Sequence, residues 1–300
     1  MALSSEPMRC GFCAIIGAPN AGKSTLVNQL AGSKVSIVSH KVQTTRARIR
    51  AIAMEGNTQI VLVDTPGIFK PKRKLDRAMV ENAWSGAGDA DAAVLLIDGR
   101  PGLTEEAKAL IEGLAAARKD AMLVINKIDV MKREQLLEVA AAFNAAYPFS
   151  ETFMVSALSG AGTDDLRKAI ARRMPEGPWL YPEDQVADLQ LRFMAAEMTR
   201  EKIYERLHDE LPYASTVETE SWEERPDGSV KIHQAIFVER DSQKAIVLGK
   251  GGQTVKLIGQ LARADMEREF GRKVHLFLFV KVREGWAEDT ERLRAMGLDV

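Results

Sequence analysis

Three short stretches of the chain combine residue types that can grip a nucleoside triphosphate. Gly17-Ala18-Pro19-Asn20-Ala21-Gly22-Lys23-Ser24 has the spacing G-x-x-x-x-G-K-[ST], following an apolar run and opening an amphipathic one. Glycines let the backbone curl until successive N–H groups face phosphate oxygens, and the helix N-terminus beyond adds favourable dipole charge. Lys23 is the expected contact to the β- and γ-phosphates and a catalytic group. The Ser24 hydroxyl is an expected Mg²⁺ ligand, with Thr25 beside it in the nucleotide site.

Asp64-Thr65-Pro66-Gly67 closes a second apolar run. A carboxylate at a strand end can hold Mg²⁺ through water, and Gly67 has no side chain to keep its backbone from the γ-phosphate. Asn126-Lys127-Ile128-Asp129 selects the base. A buried Asp129 carboxylate accepts from guanine N1–H and the 2-amino group, whereas adenine offers a lone pair and no second donor. Lys127 is expected to pack over the base and Asn126 to brace the phosphate loop. Ser156-Ala157-Leu158 stands where a main-chain N–H would read guanine O6. In Gln43-Thr44-Thr45-Arg46 one threonine would join Mg²⁺ when the γ-phosphate is present. Thr45 is favoured, also as a catalytic group beside Gly67, and Thr44 stays open. Ile68 follows Gly67 and cannot orient water, so hydrolysis of GTP should be slow. A partner, a potassium ion or another part of the switch loops would supply the missing group.

These residues need a scaffold that brings strand ends together. Apolar runs at 12–16, 59–63, 92–97, 121–125 and 151–155 alternate with helical patterns at 23–31, 104–118, 133–147 and 163–173. That alternation implies an α/β domain with a mostly parallel sheet covered by helices on both faces, its ligand beyond the C-terminal strand ends. The pattern stops at Met174-Pro175-Glu176-Gly177-Pro178, which gives a first domain at 8–176, a linker at 177–187 and a second, smaller α+β domain at 188–300. Trp179 and Tyr181 in the linker either cap a small apolar cluster, the favoured reading, or pin the domains.

The second domain reads helix, strand, strand, helix, glycine loop, helix, strand, with Pro226-Asp227-Gly228 turning the hairpin. Gly249-Lys250-Gly251-Gly252 lies between two helices, flanked by Ile246, Val247, Leu248, Val255, Leu257 and Ile258. Main-chain N–H groups there, with Lys250 and Lys256, could meet a single-stranded RNA backbone, while Lys244 and Arg263 add positive charge. Core packing is the expected role of Phe277 and Phe279 in the last strand. Lys70-Pro71-Lys72-Arg73-Lys74 reads as a solvated loop in preference to an RNA contact.

With 41 Lys and Arg against 42 Asp and Glu in 300 residues, overall charge argues neither for nor against nucleic acid, so any binding must be local. Cys10 and Cys13 have no second ligand pair or disulfide partner set, and Cys13 opens a strand. Residues 1–7 lack a secretory pattern, and no stretch reaches the roughly 18 apolar residues of a membrane span.

The nucleotide motifs, in this order, resemble the translation-factor-related class of small G proteins, and the glycine loop resembles that of type II, prokaryotic KH domains. Gly17 to Ser24, Gln43 to Arg46 and Val247 to Gly252 together resemble the Era family of GTPases, and the resemblance spans nearly the whole chain. It implies GTP and GDP binding with Mg²⁺, and contact of Leu248, Gly249, Lys250, Gly251, Gly252 and Lys256 with the 3′ region of 16S ribosomal RNA. It further implies a role in assembly of the 30S subunit and loose peripheral association with the cytoplasmic membrane; a cytoplasmic monomer without a DNA partner is the accompanying expectation. The rival expectation is a GTP-dependent switch whose C-terminal domain binds a protein or a membrane.

Overall fold

Alternating apolar strands and amphipathic helices form the first unit of the computed structural model, which describes residues 7–39, 41, 44–46, 49–68, 74–118, 120–183, 185, 187 and 191–290. The packing separates two units, one built from 1–36 and 45–188, the other from 37–44 and 189–295. Gln43 and the basic residues from Lys70 to Arg73 lie outside the described residues.

The first unit runs β1 (Arg9–Ile16), α1 (Lys23–Ala31), β2 (Ile49–Glu55), β3 (Thr58–Asp64), α2 (Lys74–Asp89), β4 (Ala92–Asp98), α3 (Glu105–Ala116), β5 (Met122–Asn126), α4 (Arg133–Ala146), β6 (Thr152–Met154) and α5 (Thr163–Arg172). Its six strands lie in the order β2-β3-β1-β4-β5-β6. All neighbours are parallel except β2 and β3. Period-two alternation divides each central strand between two cores. Cys13, Ile15, Leu62, Val94 and Val124 pack with Leu26 and Val27 of α1 and Leu166 and Ile170 of α5. Ala14, Ile16, Leu95, Leu123 and Ile125 pack with Leu110 and Leu114 of α3 and Phe143 of α4. Strands buried on both faces must be apolar throughout, which is why they read as continuous runs. Cys10 and Cys13 are both buried free thiols, and burial pushes the Cys13 thiol up to about 12, so it is inert structural packing.

The proline-rich segment after α5 stays with the first unit. Trp179 Nε1 donates to the Asn57 carbonyl at 3.1 Å. The buried side chain of Gln59 accepts from the Leu180 and Tyr181 amides at 2.9 and 3.0 Å and donates to the Tyr181 carbonyl at 2.8 Å. Polar ties to Asn57 and Gln59, at the entry to β3, hold these residues on the first unit.

The second unit runs α6 (Leu191–Arg206), β7 (Ser215–Glu224), β8 (Val230–Val238), α7 (Asp241–Leu248), α8 (Gln253–Phe270) and β9 (Val274–Val282). β7 and β8 are antiparallel, β8 and β9 parallel. Asp227 closes the hairpin by accepting from the Ser229 amide at 3.0 Å. Leu278 and Val280 of β9 turn toward Ala196 and Ile203 of α6 and Ile258 of α8. Phe277 and Phe279 point the other way and are 44% and 49% exposed, each with His233 edge-on. Core packing therefore does not explain them: alternation sends them to the sheet face that the helices leave open.

Val38, Lys41 and Thr44 are held within this second unit. The Val38 amide donates to Glu201 at 2.9 Å, Lys41 Nζ donates to the Tyr204 and Leu207 carbonyls at the end of α6, and Arg200 donates to the Thr44 carbonyl. No helix among the described residues is long and apolar enough to cross a membrane.

Candidate functional site

Lys23 is the first residue of α1, and its predecessor Gly22 caps the helix at φ 100° in the left-handed region that favours glycine. A Cβ on Gly22 would stand 2.3 Å from Asn126 Nδ2, so the loop closes only because that side is bare. Lys23 Nζ turns back inside the loop, donating to the Gly17 and Ala18 carbonyls at 3.1 and 2.9 Å. Burial pulls its pKa down to about 8, although the nearby Asp64 charge raises it. A buried ammonium held at a helix N-terminus is a strong attractor for phosphate oxygens.

Ser24, Thr45 and Asp64 converge beside it. The Ser24 and Thr45 hydroxyls lie 2.8 Å apart. Both donate to Asp64 Oδ2, at 2.8 and 3.3 Å. Ser36, which no motif marks, donates to the same oxygen at 2.7 Å. Asp64 Oδ1 is buried with no hydrogen-bond partner. Burial raises the Asp64 pKa against the hydrogen bonds and the Lys23 charge that lower it. Two hydroxyls and a carboxylate with an unused oxygen form a hard-oxygen donor set that suits Mg²⁺ far better than a soft metal. Of the two threonines, Thr45 stands in this group, while Thr44 Oγ1 donates to the Lys41 carbonyl at 2.7 Å.

Thr65 faces inward, its hydroxyl donating to the Ile15 carbonyl at 2.8 Å, and Pro66 is buried behind it. Their part is to fix the turn that brings Gly67 against the phosphate loop, where a Cβ would come within 3.0 Å of Pro19. The Ile68 amide donates to the Gly17 carbonyl at 3.1 Å, and its side chain packs on the apolar core. Thr25 is half-buried on α1.

Asn126 ends β5 and joins two loops: its amide donates to the Ala21 carbonyl at 2.8 Å, and its oxygen accepts from the Ala157 amide at 2.9 Å. Ser156 is buried, with its hydroxyl accepting from the Ser159 amide at 3.2 Å, and Leu158 is 82% exposed. Lys127 Nζ donates to the Asn20 carbonyl at 2.7 Å, so the lysine lies across the interval between phosphate loop and base motif. Asp129 sits exposed on the short turn Ile128–Val130. The motif leads one to expect a buried carboxylate; exposed on this turn, Asp129 would have to be covered by the base itself.

In the second unit, Gly249, Gly251 and Gly252 have φ of 70°, 60° and 78° and carry the chain from α7 into α8. Val247 and Ile258 enter the core, whereas Ile246 and Leu257 are exposed at 59% and 41% beside the loop. A groove of about 330 Å³ lies between α8 and β9, lined by Val255, Lys256, Gly259, Gln260, Arg263, Leu276 and Leu278. Apolar floor and cationic rim together suit stacked bases with phosphates outside.

Residues 12–127 match the family described as 50S ribosome-binding GTPase, and residues 210–287 match the KH domain. The GTPase Era of Afipia carboxidovorans is 65% identical over 295 residues, covering 98% of this chain and 96% of its own. That of Rhizobium meliloti is 60% identical, covering 99% and 95%. Among solved structures, Era in complex with MgGDPNP and nucleotides 1506-1542 of 16S ribosomal RNA gives a TM-score of 0.92 at 37% identity, over 98% of this chain and 100% of that one. An Aquifex aeolicus Era variant bound to GDP.AlF4- gives the same TM-score and identity.

Proposed function

Because this chain belongs to the Era family of GTPases, with a G domain followed by a KH domain, we propose that it holds the 3′ region of 16S ribosomal RNA and acts in small-subunit assembly. The observation that carries the RNA reading is the groove between α8 and β9, which Lys256 and Arg263 line together with Leu276 and Leu278. Mg²⁺ belongs to the same proposal. Ser24, Thr45 and Asp64 would hold it, and it would offset charge on the β- and γ-phosphates. Lys23 holds those phosphates from the loop side, and the main-chain N–H groups at the start of α1 orient them.

Filter binding with a 16S 3′-end oligonucleotide, titrated with salt, tests the RNA reading. Charge reversal of Lys256 and Arg263 should weaken binding by about tenfold or more and flatten the salt slope by about two, with GTP turnover unchanged. An unchanged slope would favour a protein or membrane partner for this domain. Run with GDP and with a GTP analogue, the same assay tests whether nucleotide state sets RNA affinity. Support for that coupling is the covalent path of the chain: Lys41 and the Thr44 carbonyl bond within the second unit, and the next residue, Thr45, stands beside Ser24. Equal affinity in both states removes it.

Slow hydrolysis follows from Ile68, whose packed side chain offers nothing to a water molecule. The isolated protein should turn over GTP below about one per second, rising with whichever addition supplies the missing group, a small-subunit particle or K⁺ in place of Na⁺. Turnover well above that rate with neither present would show that the switch loops suffice.

A further inference from the structure

Asp98 ends β4 directly opposite Asn126 in the strand register, and it belongs to none of the nucleotide motifs. Its Oδ2 accepts from Lys127 Nζ at 2.9 Å, while the same ammonium donates to the Asn20 carbonyl at 2.7 Å. Lys127 has φ 67°, so its side chain leaves the backbone from a left-handed residue and is then drawn straight between β4 and the phosphate loop. We propose that Asp98 is a positioning residue for the nucleotide base: it holds Lys127 extended so that the methylene stem forms a ready apolar platform for the guanine ring. The inference rests on reading Asn126 to Asp129 as the base-binding segment.

The case is one of preorganisation. A lysine stem is rich in rotamer entropy, and a base that had to order it on arrival would bind less tightly. Two acceptors on one ammonium remove that freedom beforehand. The pair is also sheltered, with the Lys127 and Asp98 side chains 28% and 18% exposed, so it is screened less than a surface ion pair. Arg100 approaches the same carboxylate from the solvent side, with Nε 2.9 Å from Oδ1 and a side chain 55% exposed. Burial works against the Asp98 charge, but the hydrogen bonds from Arg100 and Lys127 outweigh it and hold the carboxyl well below the usual carboxylate range. Asp98 is therefore ionised at neutral pH, its Oδ2 shared between Lys127 and Arg100 Nη2.

The test is a double-mutant cycle in the full chain, read by equilibrium binding of fluorescent GDP and a fluorescent GTP analogue. Asp98→Asn should raise Kd for both by the same factor, about tenfold, and leave kcat at saturating GTP within about twofold. Lys127→Met keeps the stem and removes the ammonium; in that background Asp98→Asn should add less than about twofold, because the carboxylate acts through the lysine. An unchanged Kd, a full tenfold effect persisting beside Lys127→Met, or kcat falling in step with affinity would each overturn the proposal. Should Asp98→Asn not fold, Asp98→Glu decides: it keeps the charge and should bind GDP within about threefold of the parent, and a larger loss counts against the proposal. Failure of the parent chain itself to retain GDP would strike the base-site reading and leave Asp98 out of account.

Discussion

Lys23→Met is expected to lower kcat for GTP hydrolysis by about 10³-fold, roughly 4 kcal/mol of transition-state stabilisation. The side chain keeps its stem in this variant and loses only the ammonium, so the phosphate loop retains its packing. What goes is the one cation that the fold buries at the N-terminus of α1, directed by the Gly17 and Ala18 carbonyls. Charge on the β–γ bridge grows as the bond to the γ-phosphoryl lengthens, and a fixed donor in a water-poor site is worth most at that moment. GDP lacks the γ-phosphate, so its Kd should rise by only about tenfold, from loss of one charge-assisted hydrogen bond. Single-turnover hydrolysis at saturating GTP, with GDP binding measured on the same protein, separates the two. A kcat within tenfold of the parent would remove Lys23 from the chemistry and leave it a structural plug.

The nucleotide site was legible because its chemistry demands particular residues at fixed spacing. Glycine at 22 is forced by the closeness of Asn126, and the carboxylate at 64 accepts from both motif hydroxyls, Ser24 and Thr45. Ser36 and Asp98 were not legible, since each is an ordinary polar residue that long-range packing brings into place, 28 residues from Asp64 and 29 from Lys127. The fold shows the same division. Buried parallel strands announce themselves as apolar runs, but β2, an antiparallel edge strand carrying Arg50 and Glu55, does not. Helix α2 hides behind Gly86 and Gly88, residues that weaken the helical signal of its second half. Strand β9 shows the limit of alternation. Leu-Phe-Leu-Phe is apolar on both faces, so nothing local says that helices cover the leucines and leave the phenylalanines exposed. Asp129 shows another limit, because a motif states which group meets the base but not whether the protein or the ligand buries it.

That exposure sharpens the prediction for Asp129→Asn, which should exchange one base preference for another at small cost to stability. The side chain stands on a turn at the surface, so the amide can be accommodated without leaving a buried group unsatisfied. With guanine, the carboxylate accepts from N1–H and the 2-amino group. Asparagine can accept only one of these, and its NH₂ then points donor against donor at the other. Affinity for GTP and GDP should fall by at least about 10²-fold, as expected when a polar contact is replaced by a mismatched one. Xanthine carries an oxygen where guanine carries the amino group, so the same NH₂ finds an acceptor there. The variant should therefore bind xanthosine diphosphate more tightly than GDP, reversing the parent's order, and hydrolyse xanthosine triphosphate at the parent's kcat for GTP, since Lys23, Ser24 and Asp64 are untouched. Competition of both diphosphates against one fluorescent nucleotide measures the reversal directly. If GDP affinity held while the substitution was in place, base selection would have to come from the Ser156–Leu158 loop, whose Ala157 amide is already committed to Asn126.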